Sequence, residues 1–268
     1  MSRILAIGVV TPFGDDPRVV AERVAAGDTA LAPRPWLSEL PDPRAAVVDG
    51  PDLHGWLTRK KDARLLARAA RLALPAAGRA LRALPSEAAE HTAIYVAVGR
   101  EPPDDPDAEP SLLAMERDGE LDLALLGGRG RELYPPLLPL RTLPNMVLAH
   151  ICIQHGLRGE NGTFAGEAEA GLQALRAACL AVDEGRAPFA LAGASFSATD
   201  LASARDRLRL VAAPGAALEL APPGEAAVFV LIGPGDGRAD RPPVAAESWT
   251  AAMGDCGPVT GLWSVLGG

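Results

Sequence analysis

Two carboxylates bracket one alanine in the run Gly166-Glu167-Ala168-Glu169-Ala170-Gly171. A pair of acidic side chains at a turn can share a proton, one holding it while the other stays ionised, and such a pair can do general acid–base chemistry. The same residues have a structural reading: Glu169 falls in the first turn of the following helix, where the macrodipole favours a negative charge. Other reactive residue types form no comparable group. His150 and His155 are five apart on one helix and share no face, so they read as packing or interface residues rather than metal ligands. His54 and His91 stand alone. Ser195 and Ser197 follow a strand without a G-x-S-x-G elbow. The glycines of Gly127-Gly128-Arg129-Gly130 neither follow a clear strand nor precede the lysine of a phosphate-binding loop. Cys152, Cys179 and Cys256 fit no zinc spacing, and their odd number closes no disulfide framework; buried thiols in a reducing compartment are expected. No cofactor and no metal is implied.

The elements that hold the Glu167–Glu169 turn can be read on both sides of it. Pro144 suits a first helical turn, where its lack of an N–H costs nothing, and Asn145-Met146-Val147-Leu148-Ala149-His150-Ile151 continues the helix. Gly156 to Gly162 is a glycine-punctuated turn, and Thr163-Phe164-Ala165 begins with strand-forming residues. From Glu169 to Val182 the apolar residues Leu172, Leu175, Ala178, Cys179 and Val182 have helical spacing, closed by Gly185. Phe189 to Ala194 reads as a buried strand. Toward the N-terminus, Ile4 to Val10 is a continuous apolar run, expected as a strand buried on both faces. Val19 to Ala26 is expected to be a helix stopped by Gly27. Leu31 to Trp56 is loop-like. Lys60 is expected to open a long helix through Leu84, kinked or split at Pro75. His91 to Gly99 reads as a strand, and Leu112 to Leu126 as helical. Residues 101–110, with four prolines and five acidic residues, read as a solvated loop. Leu201 to Leu210 reads as a short helix, Gly224 to Ile232 as a strand, and Gly233 to Pro243 as a linker.

Composition narrows the function. At 48% hydrophobic but only 4% aromatic, the 268-residue chain must build its core from Ala, Leu and Val. A formal net charge of -8 argues against a nucleic-acid partner and against a direct grip on an acidic carrier protein unless basic residues cluster locally. The N-terminus lacks the apolar stretch and cleavage site of a signal peptide. No apolar run reaches the roughly 20 residues that span a bilayer. No membrane association and a cytoplasmic location are expected.

The order of motifs resembles the N-terminal half of β-ketoacyl synthases, condensing enzymes of the thiolase fold. The resemblance rests on Pro144-Asn145-Met146, on Gly156-Leu157-Arg158-Gly159-Glu160-Asn161, and on the strand, tight turn and helix Ala170-Gly171-Leu172-Gln173-Ala174-Leu175. It continues in Asp183-Glu184-Gly185 and Ala190-Leu191-Ala192-Gly193-Ala194. The ending Gly8-Val9-Val10-Thr11-Pro12-Phe13-Gly14 and the start of the late strand, Gly224-Glu225-Ala226-Ala227, are also similar to that family, with Ala226 where the family has glycine. The resemblance implies an α/β, thiolase-like fold: a layered mixed sheet with helices, essentially one N-terminal half of a ketosynthase. A single domain over 1–268 is expected, with a linker at 233–243 and a short C-terminal remnant at 244–268.

In that family the turn between the strand and the helix carries a nucleophilic cysteine, and here that place falls on Ala168. The late glycine-rich motif of the family is similar to Met253–Leu262, which would put Asp255 at a family histidine position. The resemblance therefore implies no catalytic residue. It implies a turn or pocket at Glu167, Ala168 and Glu169, and a dimer interface at Thr163, Phe164, Ala165, Gly166, Asn145, Met146 and His150. A half-length chain is expected to expose apolar surface and to bury it against a partner. Three functions remain open. One is a non-catalytic subunit of the chain-length-factor type, paired as a heterodimer with an active β-ketoacyl synthase in polyketide or fatty-acid-like biosynthesis. Another is a structural homodimer that binds an acyl carrier protein or lipid. The third is a diverged acyl-processing enzyme using Glu167, Glu169 or Asp255.

Overall fold

The computed structural model describes residues 1–38, 40–99, 109–118, 120–200, 203, 221–235 and 246–266. Five strands form the main sheet: β1 (Ser2–Val10), β2 (Ala93–Val98), β3 (Asn161–Ala165), β4 (Ala190–Ser197) and β5 (Glu225–Pro234). Their order across the sheet is β1-β5-β4-β2-β3. β5 is antiparallel to both its neighbours, whereas β4, β2 and β3 run parallel. The three inner strands are covered on both faces, which is why they read as unbroken apolar runs rather than as alternating ones.

Among the described residues, six helices of eight or more residues pack on the sheet or beside it: α1 (Pro17–Ala25), α2 (Arg68–Leu81), α3 (Met146–His155), α4 (Ala168–Asp183), α5 (Ala246–Met253) and α6 (Pro258–Leu266). Successive strand residues point to opposite faces. Ile94, Val96, Leu191, Phe229 and Leu231 join α2 and α3 in one core. Tyr95, Ala97, Ala192, Ala194, Val228 and Val230 join α4 and α6 in the other. The helix stops read from sequence hold: Gly27 and Gly185 take left-handed φ values of 78° and 70° just after α1 and α4.

Several expectations are corrected. The helix expected from Lys60 to Leu84 is two pieces. Lys60–Leu65 is a 3-10 turn, Leu66 and Ala67 are extended, and α2 then runs on through Pro75. The break falls where carbonyls are claimed from outside: Arg71 Nη2 donates to Ala63 O and Nε to Leu66 O, and His150 Nε2 lies 3.1 Å from Leu65 O. Residues 112–126 are not one helix either. Glu109–Ala114 is helical, Glu116–Arg117 pairs with Glu120–Leu121, and Leu123–Gly127 is a 3-10 turn. Asp118, at φ 56°, reverses the chain there. The expected linker begins later than Gly233, because Gly233 and Pro234 still pair with Arg3 and Ser2 of β1. The rest of that linker (236–243), residues 101–108 of the acidic loop and nearly all of the helix expected at 201–210 lie outside the described residues.

A half-length chain was expected to expose apolar surface; exposed leucines remain, but the side of the sheet that carries α4 is not open. The C-terminal segment covers it. Trp249, Met253, Cys256, Val259 and Leu262 are fully buried in the α4 core, and the rings of Trp249 and Trp263 meet at 4.5 Å. The segment is tied to the start of β5 by backbone bonds: Asp255 N donates to Pro222 O at 2.8 Å, and Gly224 N donates to Asp255 O at 2.9 Å.

Candidate functional site

The β3–α4 turn is held by the sheet itself. Gly166 N donates to Val98 O (3.0 Å), so the turn starts as a continuation of the β2–β3 pairing. Glu167 then occupies the N-cap position of α4, in extended geometry and without a side-chain cap. Glu167 and Glu169 are both exposed, and Ala168 is half-buried. Glu169 sits in the first turn of α4, where the partial positive charge of the helix end favours it.

Above this turn lies α6. A Cβ on Gly261 would stand 1.9 Å from Ala168 O, and one on Gly171 would stand 2.1 Å from Pro258 O. The two helices therefore touch backbone to backbone at the first turn of α4, and only glycine permits it. Asp255, ahead of α6, accepts a hydrogen bond from Gly257 N through Oδ1 at 2.8 Å. Its carboxylate shapes the turn into α6. The fold thus brings α6 against the Ala168 turn.

The residues expected at an interface divide into two groups. Thr163, Phe164 and Ala165 lie on β3, which among the described residues borders only β2 and forms one edge of the sheet. Gly166 follows it and is buried. Asn145 and Met146 open α3 on the opposite face, with Asn145 exposed and Met146 half-buried. His150, expected as a packing or interface residue, is buried, and its Nε2 lies 3.1 Å from Leu65 O. Burial pushes its pKa below the usual histidine value, against an opposing pull from the carbonyls of Leu65 and Leu140. His155 is lowered by burial too.

Other side chains singled out in the sequence have structural partners. Ser195 Oγ donates to Ala69 O at 2.7 Å. Cys152 and Cys179 are half-buried thiols; burial raises both, Cys152 to about 11, so neither is an activated nucleophile. No group of three or more His, Cys, Asp or Glu side chains that could hold a metal occurs among the described residues. None of the helices among them is long and apolar enough to cross a membrane.

Two features escaped the sequence reading. Glu225 is 0% exposed, yet its carboxylate accepts from Val48 N (2.7 Å), Ser197 Oγ (2.8 Å) and Arg68 Nε (3.0 Å), so one side chain joins the start of β5 to the end of β4 and to α2. The only sequence signal was a carboxylate leading an apolar strand. The second is the stretch between β2 and α3, which leaves Leu113 61%, Leu123 72% and Leu137 50% exposed.

The family description "Beta-ketoacyl synthase, N-terminal domain" matches residues 3–210. The chain belongs to this family. Solved structures agree on the fold. A β-ketoacyl synthase from Burkholderia phymatum STM815 superposes with a TM-score of 0.64 at 17% identity, covering 87% of this chain and 58% of that one. The ishigamide ketosynthase/chain length factor gives 0.64 at 23% identity, covering 90% and 64%. A type II polyketide synthase acyl-carrier protein in complex with its ketosynthase gives 0.62 at 17% identity, covering 87% and 62%. The chain thus spans about three-fifths of the length of these structures. No curated protein sequence matches it.

Proposed function

We propose that this ketosynthase-family chain is a non-catalytic subunit of the chain-length-factor type that pairs with an active β-ketoacyl synthase. The observation that carries the reading is the β3–α4 turn. The family's condensation needs a thiolate that can form an acyl thioester, and oxyanion donors beside it. At Ala168 there is a methyl group, and no cysteine occurs from Ile153 to Ala178. At the tail position that resembles a family histidine stands Asp255, whose carboxylate is engaged with Gly257 N.

Pairing through β3 is supported by its place at the sheet edge, where one row of backbone N–H and C=O groups has no strand partner among the described residues. The exposed leucines at 113, 123 and 137 add apolar area of the kind that interfaces bury. The α4 face contributes nothing to this argument, because α5 and α6 already cover it. A structural neighbour that contains a ketosynthase/chain length factor fits the reading. An acyl carrier protein is a further candidate partner, in keeping with the neighbour solved in complex with one. We place the work of the subunit in polyketide or fatty-acid-like biosynthesis, in the cytoplasm.

The test is co-expression with an active ketosynthase encoded nearby, followed by size-exclusion chromatography with light scattering. A one-to-one complex is expected, weakened by Thr163→Pro, which disturbs the edge strand. A stable homodimer indifferent to the ketosynthase would overturn the heterodimer.

A further inference from the structure

A cleft of ≈ 350 Å³ opens between α2, α3 and the segment Gly55–Thr58, on the face of the sheet opposite the β3–α4 turn. Trp56, Thr58, Gly78, Arg82, Gln154 and His155 are among its lining. The indole of Trp56 lies directly on α2: a Cβ at Gly78 would stand 2.2 Å from Trp56 Cζ3. The guanidiniums of Arg79 and Arg82 stand over its ring at 5.5 and 5.3 Å. Thr58 N donates to Gln154 Oε1 at 2.7 Å and so fastens the segment to α3.

The groups gathered here are short of acceptors. His155 Nε2 is buried with no hydrogen-bond partner among the described residues, and so is Arg79 Nη1, although Arg79 Nη2 pairs with Asp15. Arg82 is exposed and makes no ion pair among the described residues. A buried unsatisfied polar group destabilises the fold, and a ligand accepting the bond would relieve it. In a chain of net charge -8, this clustering of donors stands against the overall field. The other arginine–tryptophan pair, Arg34 over Trp36 at 5.8 Å, is different: Trp36 Nε1 is satisfied by Thr199 O at 2.9 Å, and neither of its side chains carries an unpartnered buried nitrogen.

We propose that this cleft binds the oxyanion of a small organic acid or phosphate ester. Arg82 pairs with the charge, Nε2–H of His155 donates a hydrogen bond to an oxygen, and the indole of Trp56 carries the apolar body of the ligand. The imidazole serves as a neutral donor, since burial disfavours its charged form. The volume suits a ligand at the small end of those bound in protein pockets.

The test uses the full chain with Trp36→Phe, which leaves Trp56 as the one indole outside the buried Trp249–Trp263 pair. Tryptophan fluorescence is followed while sodium phosphate, sodium acetate or sodium chloride is added at constant ionic strength. A saturable change with phosphate or acetate, with a midpoint of about 1–10 mM, is expected. Whichever of the two saturates at lower concentration identifies the ligand as phosphate-like or carboxylate-like. Arg82→Gln should weaken binding about tenfold or more, as loss of a charge-assisted bond does, and Arg34→Gln should leave it unchanged. Gly78→Ala should displace Trp56 and abolish the response; should that variant not fold by circular dichroism, the exposed Arg82→Gln still decides. No saturation with either anion, an equal response to chloride, or an unaltered curve in Arg82→Gln would overturn the proposal.

Discussion

Replacing Glu225 by alanine should cost about 3 kcal/mol of stability. The carboxylate is fully buried and accepts from Val48 N, Ser197 Oγ and the Arg68 guanidinium. Removing it strands the buried Val48 N–H, for about 1–3 kcal/mol. It also breaks an ion pair of the kind whose one-sided removal costs about 3–5 kcal/mol when both partners are buried. The Arg68 side chain is 34% exposed, so water re-solvates its charge and its loss falls well below that range, leaving about 3 kcal/mol for the two losses together. Ser197 is half-buried and can turn its hydroxyl toward water. With a urea m-value of about 3 kcal/mol/M for a chain this long, the unfolding midpoint should fall by about 1 M. Arg68→Met alone should also destabilise, and the double variant should lose less than the sum of the two, with a coupling of about 1 kcal/mol or more. A loss under about 1 kcal/mol for Glu225→Ala, or strict additivity with Arg68→Met, would show that the carboxylate does not join β5, β4 and α2 as described.

The helix contact at the Ala168 turn should be equally exacting: Gly261→Val must push α6 off α4 and should lower stability by about 1–3 kcal/mol in the same denaturation assay, whereas Ser264→Val, on the same helix but half-buried, should change it far less. Acidification should weaken the fold. His150 and His155 both have pKa values depressed by burial, so below the unfolded value near 6.5 the unfolded chain binds protons that the folded chain refuses; their contribution is fully present above that pH and is lost as pH falls toward the folded values. His150→Gln should flatten this slope in urea midpoints measured between about pH 7 and 5. With its pKa raised to about 11, Cys152 should carry about one thiolate per thousand at pH 8 and should react with a disulfide reagent far more slowly in the native chain than in urea; equal rates would contradict its burial.

How much of this could be read without coordinates differs from element to element. β2, β4 and β5 were legible because strands covered on both faces need continuous apolar runs, and Gly27 and Gly185 were legible as helix stops because left-handed backbone favours glycine. The turn was legible down to its residues, since strand signal, glutamates and helical spacing all lie within about twenty positions. Its surroundings were not. Nothing local in Met253–Leu262 says that α6 lies against Ala168, because that contact joins positions some ninety residues apart and depends on glycine backbones meeting at the crossing of two helices.

The sequence by itself determined the family, the character of the sheet and the absence of a thiol from Ile153 to Ala178, since each is written in residue type and short-range period. Only the tertiary structure decided the break before α2, the burial of His150, the partners of Glu225 and the covering of the α4 face. Each of these depends on which distant group occupies a carbonyl, a carboxylate or an apolar surface: Leu65 with His150, Val48 with Glu225, Trp249 with Trp263. Hydrophobic period and turn chemistry act over a few residues, whereas the satisfaction of buried polar groups and the closing of a core are settled by neighbours in space.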